Sequence, residues 1–200
     1  MSVTITSGQP REEQLPAALA RNLDASFEQL VLTYQDRLYA FAGHLSGSPQ
    51  DAEEIVQDAF VRAYRALAEY APERVESLAL RPWLYQITLN VYRNRRRVRQ
   101  PQLVPLADDA DDGVELADDV MQRPEALLER AEQARALSRL VAELPERYRA
   151  AVILRHIAGF GYNDLADLLH QPVGTIKANV HRGAKLLRAA VVAQLEEAIE

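Results

Sequence analysis

Apolar positions recur along this chain at helical intervals almost from end to end. Phe27, Leu30, Val31, Tyr34, Leu38 and Phe41 follow an i, i+3, i+4, i+7 rhythm, which predicts an amphipathic helix over about 25–45. Ser46-Gly47 stops it. Ser48 then suits an N-cap, Pro49 a first helical position and Asp51 the acid of a capping box, so a second helix starts sharply there. Ala52, Ile55, Val56, Ala59, Phe60, Ala63 and Leu67 form its apolar face. Residues 70–80 read as a loop containing Pro72, and Pro82 restarts the chain into a third helix from Trp83 to about Arg97. Residues 1–24 are polar, with Pro10 and Pro16, and predict a flexible arm with a short helical turn around 17–23.

Residues 100–122 have proline near their start (Pro101, Pro105), many acids and no helical period, the pattern of a linker. Beyond it, helices are expected over 123–143 and 146–158, separated by Leu144-Pro145 and closed by Gly159. Two short helices follow. Leu165, Leu168 and Leu169 stripe the first, which Gly161 caps with Asp164 three residues on. Pro172 disfavours helix at Gln171. Ile176, Val180, Ala184 and Leu187 stripe the second, leaving Lys177, Asn179, His181, Arg182, Lys185 and Arg188 off the stripe. No strand pattern appears. The expected fold is all-α: an arm (1–24), a helical bundle (25–99), an acidic flexible linker (100–122) and a second helical domain (123–200). The last two helices follow the helix-turn-helix plan for the DNA major groove. The plain alternative is a helical hairpin with a solvated outer face.

Charge sharpens this picture. The 200 residues carry a net charge of −6. Residues 101–135 hold 10 acids and 3 bases, a balance of −7, so the rest of the chain is +1. Between Asp167 and Glu196 there is no acid. The third helix ends in Arg93-Asn94-Arg95-Arg96-Arg97-Val98-Arg99, five arginines in seven residues. Helix-dipole complementation accounts for part of such a cluster. Its remainder, beside aromatic residues, suits phosphate contact and base stacking on melted nucleic acid. The second helix instead turns Asp51, Glu54, Gln57 and Asp58 outward.

Other functions are disfavoured. Cysteine is absent, which excludes disulfides, thiol catalysis and zinc fingers. No apolar run is long enough to span a membrane and no secretory signal is visible, so a cytoplasmic protein is expected. His44, His156, His170 and His181 are scattered, with no phosphate loop or catalytic motif around them. Neither enzyme activity nor a metal or cofactor is expected. An autonomous helix-turn-helix regulator with an N-terminal sensing domain is the rival reading.

Three segments carry a family resemblance. Asp51 to Tyr64, DAEEIVQDAFVRAY, resembles the core-binding helix of bacterial sigma-70 factors. Arg81 to Asn90, RPWLYQITLN, with the arginine run after it, resembles their helix for the −10 promoter element. Leu144-Pro-Glu-Arg-Tyr148 and Pro172-Val-Gly-Thr-Ile-Lys177, with His181-Arg182, resemble the region that reads the −35 element. Two domains and a short linker resemble the extracytoplasmic-function (ECF) subgroup. The resemblance implies partners: core RNA polymerase through its β′ and β subunits, promoter DNA as duplex and melted strand, and an anti-sigma factor. It implies that Asp51, Glu54, Gln57 and Asp58 meet the polymerase. Trp83, Asn90, Arg93, Asn94, Arg95, Arg96 and Arg97 would serve the −10 element. Lys177, Asn179, His181, Arg182 and Lys185 would serve the −35 element. Ala178, Asn179 and Ala184 stand where the family often has Ser, Arg and Arg, so the groove face here carries fewer cations. The acidic linker is either a solvated tether or, as the resemblance implies, a nucleic-acid mimic in a basic polymerase channel.

Overall fold

A computed structural model of the chain describes residues 9–99 and 137–197. Among them every regular element is helical. The linker and the start of the helix expected from 123 lie outside the described residues. In the N-terminal module α1 (Gln9–Arg21), α2 (Leu23–Ser46), α3 (Pro49–Glu69), α4 (Pro72–Glu76) and α5 (Leu80–Arg99) pack together. The C-terminal module contains α6 (described over 137–143), α7 (Glu146–Val152) with a π-helical turn (Ile153–Ile157), α8 (Tyr162–Leu169) and α9 (Val173–Glu197).

Local signals place most boundaries. The Asn22 side chain accepts from the Ala25 N–H at 3.1 Å and starts α2. Gly47, at φ +71°, ends it in the left-handed region that glycine tolerates, its N–H donating to the Gly43 carbonyl at 2.8 Å. The Ser48 hydroxyl accepts from the Asp51 N–H at 3.2 Å. The Ser48 N–H donates to the Ser46 hydroxyl at 3.2 Å. Leu30, Tyr34, Leu38, Phe41, Ile55, Ala59, Ala63, Leu84 and Leu89 fill the space between α2, α3 and α5.

The N-terminal arm is a correction to the sequence expectation. From Gln9 it is helix, packed across α2 and α4. Leu15 and Leu19, one turn apart, are buried. The Glu12 carboxylate accepts from the Tyr34 hydroxyl at 2.8 Å and pairs with Arg37 at 3.0 Å. Burial raises the Glu12 pKa, but these two donors outweigh it and the net shift is downward. A short helix of this composition is marginal alone and stable once docked, which is why its periodicity is weak.

The expected helix over 146–158 also differs. It widens at Ile153–Ile157 into a π turn, with the Ala158 N–H donating to the Ile153 carbonyl at 2.9 Å. The extra residue accompanies adjacent residues, Ile153 and Leu154, that are both fully enclosed. The two modules are not separate bodies. Residues of α2, α5, α7, the π turn and α8 share one continuous apolar cluster.

Gly183 of α9 packs closely against α7. A Cβ there would lie 2.5 Å from Val152 Cγ2 and 3.2 Å from Tyr148 Cβ. Gly183→Ala is therefore expected to destabilise the chain by about 1–3 kcal/mol. Gly174→Ala, where nothing lies within 4 Å, is expected to be neutral or to gain about 0.4–1 kcal/mol. Urea unfolding followed by circular dichroism distinguishes the two.

Candidate nucleic-acid interface

The residues of α5 divide by helical angle. At about 100° per residue, Trp83, Asn90, Asn94 and Arg97 share one face. Asn90, Asn94 and Arg97 are exposed, and Trp83 is half-buried. The Trp83 ring lies 6.2 Å from Tyr70, and the Arg74 guanidinium stands 3.7 Å over the Tyr70 ring. An indole, a phenol and a guanidinium thus gather beside a run of amide side chains, groups suited to stacking on and hydrogen bonding with unpaired bases.

The other arginines point elsewhere. Arg95 faces α3, where its guanidinium forks onto Glu54 at 2.5 Å and Asp58 at 2.7 Å. Its pKa is raised, chiefly by the bonds to Asp58 and then Glu54. The outer face of α3 is therefore partly neutralised from within the chain. Gln57 on that face is exposed and donates to Glu53 at 3.3 Å, and Asp51 is half-buried. Arg93 and Arg96 face the C-terminal module, each 3.0 Å from one oxygen of Glu146. The four described arginines of the run, Arg93, Arg95, Arg96 and Arg97, point in three directions.

The helix-turn-helix is built as its sequence predicts, with one exception. The Gly161 N–H donates to the Asp164 carboxylate at 3.1 Å and opens α8. His170 turns the chain at φ +54°, a left-handed position uncommon outside glycine, and its ring nitrogen lies 2.8 Å from the Gln86 amide of α5. Lys177 and Lys185 are exposed, and His181 and Arg182 are half-buried. Lys177, His181 and Arg188 line one side of α9. Asn179 is the exception. Its position off the apolar stripe predicts exposure, but it is 7% exposed and donates to Gln171 at 3.1 Å. Nearly opposite Lys177, it stitches the turn to α9 instead of projecting outward.

No described helix is long and apolar enough to cross a membrane. Among the described residues no group of three or more His, Asp or Glu stands together as a metal site.

Comparison with known proteins follows the same division. Residues 30–102 match the profile of Sigma-70 region 2, and residues 134–187 that of Sigma-70, region 4. The RNA polymerase sigma-H factor of Pseudomonas aeruginosa is 30% identical over 195 residues, covering 95% of this chain and 98% of that one. The ECF RNA polymerase sigma factor SigW of Bacillus subtilis is 30% identical over 169 residues, covering 82% and 87%. The chain belongs to the sigma-70 family, in its ECF subgroup. Its fold also matches the sigma factor RpoE of Bartonella quintana, solved in complex with the anti-sigma factor NepR. There the TM-score is 0.59 at 24% identity, covering 82% of this chain and 96% of that one.

Two residues of this sigma factor that no candidate site included are Glu146, inside the Leu144–Tyr148 motif, and Arg149, just after it. Arg149 is 8% exposed. Its guanidinium donates to the Leu45 carbonyl at 2.8 Å, the Tyr92 hydroxyl at 2.7 Å and the Leu144 carbonyl at 2.8 and 3.2 Å. Burial lowers its pKa, Tyr92 opposing. The signal available in the sequence is one arginine inside the apolar run Tyr148–Leu154. Arg149→Ala, which strands buried carbonyls, is expected to cost on the order of 3 kcal/mol of unfolding free energy. Arg95→Ala, at a partly exposed cluster, is expected to cost less than about 1 kcal/mol. Denaturant titration of both variants measures the contrast.

Proposed function

We propose that this ECF sigma factor brings core RNA polymerase to promoters by using three separate polar surfaces. The observation that carries this is the order of two sigma regions on one chain, each presenting its own outward polar stripe. The relatives are named as sigma factors of RNA polymerase, and this chain works as one, binding core polymerase and promoter DNA.

In this reading the α3 face of Asp51, Glu54, Gln57 and Asp58 meets the β′ subunit, where exposed charges steer association and set register. The stripe of Trp83, Asn90, Asn94 and Arg97, with Tyr70 and Arg74 beside it, receives a base drawn out of the melted −10 strand. Stacking on the aromatic pair offsets part of the cost of unstacking. Arg93, Arg95 and Arg96 serve backbone phosphates once their carboxylate partners release them. Lys177, His181, Arg182 and Lys185 enter the major groove at −35, where a few base-edge contacts specify and the rest position. Asn179 acts by holding the turn. The sigma factor works in the cytoplasm, catalyses nothing itself, and is held in check by an anti-sigma factor, the kind of partner seen with RpoE of Bartonella quintana.

Run-off transcription with bacterial core polymerase, with the 5′ ends sequenced, tests this directly. The expected products start downstream of a shared two-part sequence. Specific duplex binding by the chain alone, with no stimulation of core, would favour the autonomous regulator instead. Asp58→Arg is expected to weaken capture of core polymerase in a pull-down while leaving helicity intact; wild-type capture would remove α3 from the interface. Arg182→Ala is expected to lose about 1–3 kcal/mol on promoters whose −35 base it reads. An equal loss on every promoter would make it a phosphate contact.

A further inference from the structure

α4 has little of its own to hold it. It is five residues long, and Ala71 at its N-cap provides no side-chain bond. A helix of that length is not stable alone. Val75 is its one buried residue. The helix it packs against most extensively is α1, whose Leu15 and Leu19 lie in the same apolar cluster as Val75. Polar bonds tie α1 in turn to α2. Glu12 accepts from Tyr34 and pairs with Arg37, and the Ser26 hydroxyl donates to the Ala18 carbonyl at 3.1 Å. α1 also reaches the segment after α4. Glu12 and Pro16 share with Leu80 and Pro82 the lining of a cavity of about 450 Å³, and Trp83 is the next residue.

α4 carries one side chain of the surface assigned to the melted strand. Arg74 stands on it, and the Arg74 guanidinium covers the Tyr70 ring, which lies beside Trp83. Tyr70 belongs to the end of α3, where its N–H donates to the Leu67 carbonyl at 3.3 Å. The stacking surface thus joins two parts. Tyr70 and Trp83 sit on the long helices, and Arg74 sits on a short one that α1 supports.

We propose that α1 is the positioning element of the −10 surface: by bracing α4 it keeps Arg74 over Tyr70 and so sets how selectively an extruded base is received. The inference rests on the reading of Tyr70, Arg74 and Trp83 as part of that surface, and deepens it. α1 ends before residue 30, where the region 2 match begins. Preorganisation is the physical reason. A ring covered on one face by a guanidinium offers a base only its other face and its edges. With α4 loose, both faces are open, and bases of different shape are received more nearly alike.

The test uses the full chain. Leu15→Ser with Leu19→Ser removes the apolar side of α1. Amide hydrogen exchange of the free variant is expected to quicken about tenfold over residues 72–78 and to stay unchanged in the middle of α3. Transcription with core polymerase is then compared on templates that differ in a single −10 base of the promoter found by 5′-end sequencing. The serine pair is expected to shrink the ratio between the best and the poorest base by about threefold. A merely structural role would lower initiation on every template alike and leave that ratio untouched. Leu15→Ile with Leu19→Met keeps the apolar side and is expected to restore both readouts. If circular dichroism shows that the serine pair does not fold, Glu12→Ala unties α1 from Tyr34 and Arg37 outside the core. It is expected to change exchange and ratio in the same directions, by about twofold. Unchanged exchange over 72–78, or an unchanged ratio, in the variant that folds overturns the proposal. Two other failures are distinct from this one, and either takes the inference with it. No transcript from unaltered protein removes the sigma reading. A ratio that Tyr70→Ala alone leaves unmoved removes this surface from the −10 element.

Discussion

The structure depends on how α7 satisfies its one buried charged residue. The Arg149 guanidinium is buried and hydrogen-bonds to carbonyls and a phenol, with the Glu146 carboxylate near enough to favour its charge. One of those carbonyls belongs to the end of α2, where the helix dipole leaves partial negative charge. A buried cation is tolerated only when every donor finds an acceptor. Here the acceptors come from both modules, so the satisfaction of one guanidinium ties the C-terminal half of the chain to the N-terminal half. The apolar cluster, the Tyr85–Phe160 contact and the pairs of Glu146 form around that tie.

The cationic end of α5 shows how a single run of like residues is divided by helix geometry. Side chains one residue apart point about 100° away from each other. Arg95 is turned to α3, Arg93 and Arg96 to α7, and Arg97 to solvent. In this arrangement the open surface is not the run of arginines but a stripe of one arginine, two asparagines and an indole. A surface of that kind discriminates by hydrogen bonding and stacking more than by bulk charge, which fits a sigma factor with a net charge of −6.

Much of this was legible beforehand, and the reason is local. Ser48-Pro49, Gly47 and the Gly161–Asp164 pair fix helix ends through bonds within four residues, so their sequence signature is complete. The apolar stripes of α2 and α3 are likewise dictated by period. α1 was obscured because Leu15 and Leu19 alone carry its buried face and Pro16 interrupts it; its stability comes from α2 and α4. Asn179 was misplaced because an amide sits equally well on either side of α9, and only the position of Gln171 decides. The enclosure of α7 was out of reach for a deeper reason. The run Tyr148–Leu154 reads as an unusually apolar helix, but nothing local says that its second side is covered by a module more than fifty residues earlier in the chain.

The π turn after α7 has a geometric consequence. One residue beyond the α-helical count offsets everything that follows by about 100° around the axis. Phe160, the His170 turn and the whole recognition helix inherit that rotation, and the aim of Phe160 at Tyr85 depends on it. The widened turn therefore acts as an angular index between the halves of the molecule. A single deletion among residues 153–157 would leave a perfectly good helix and a reading head facing the wrong way.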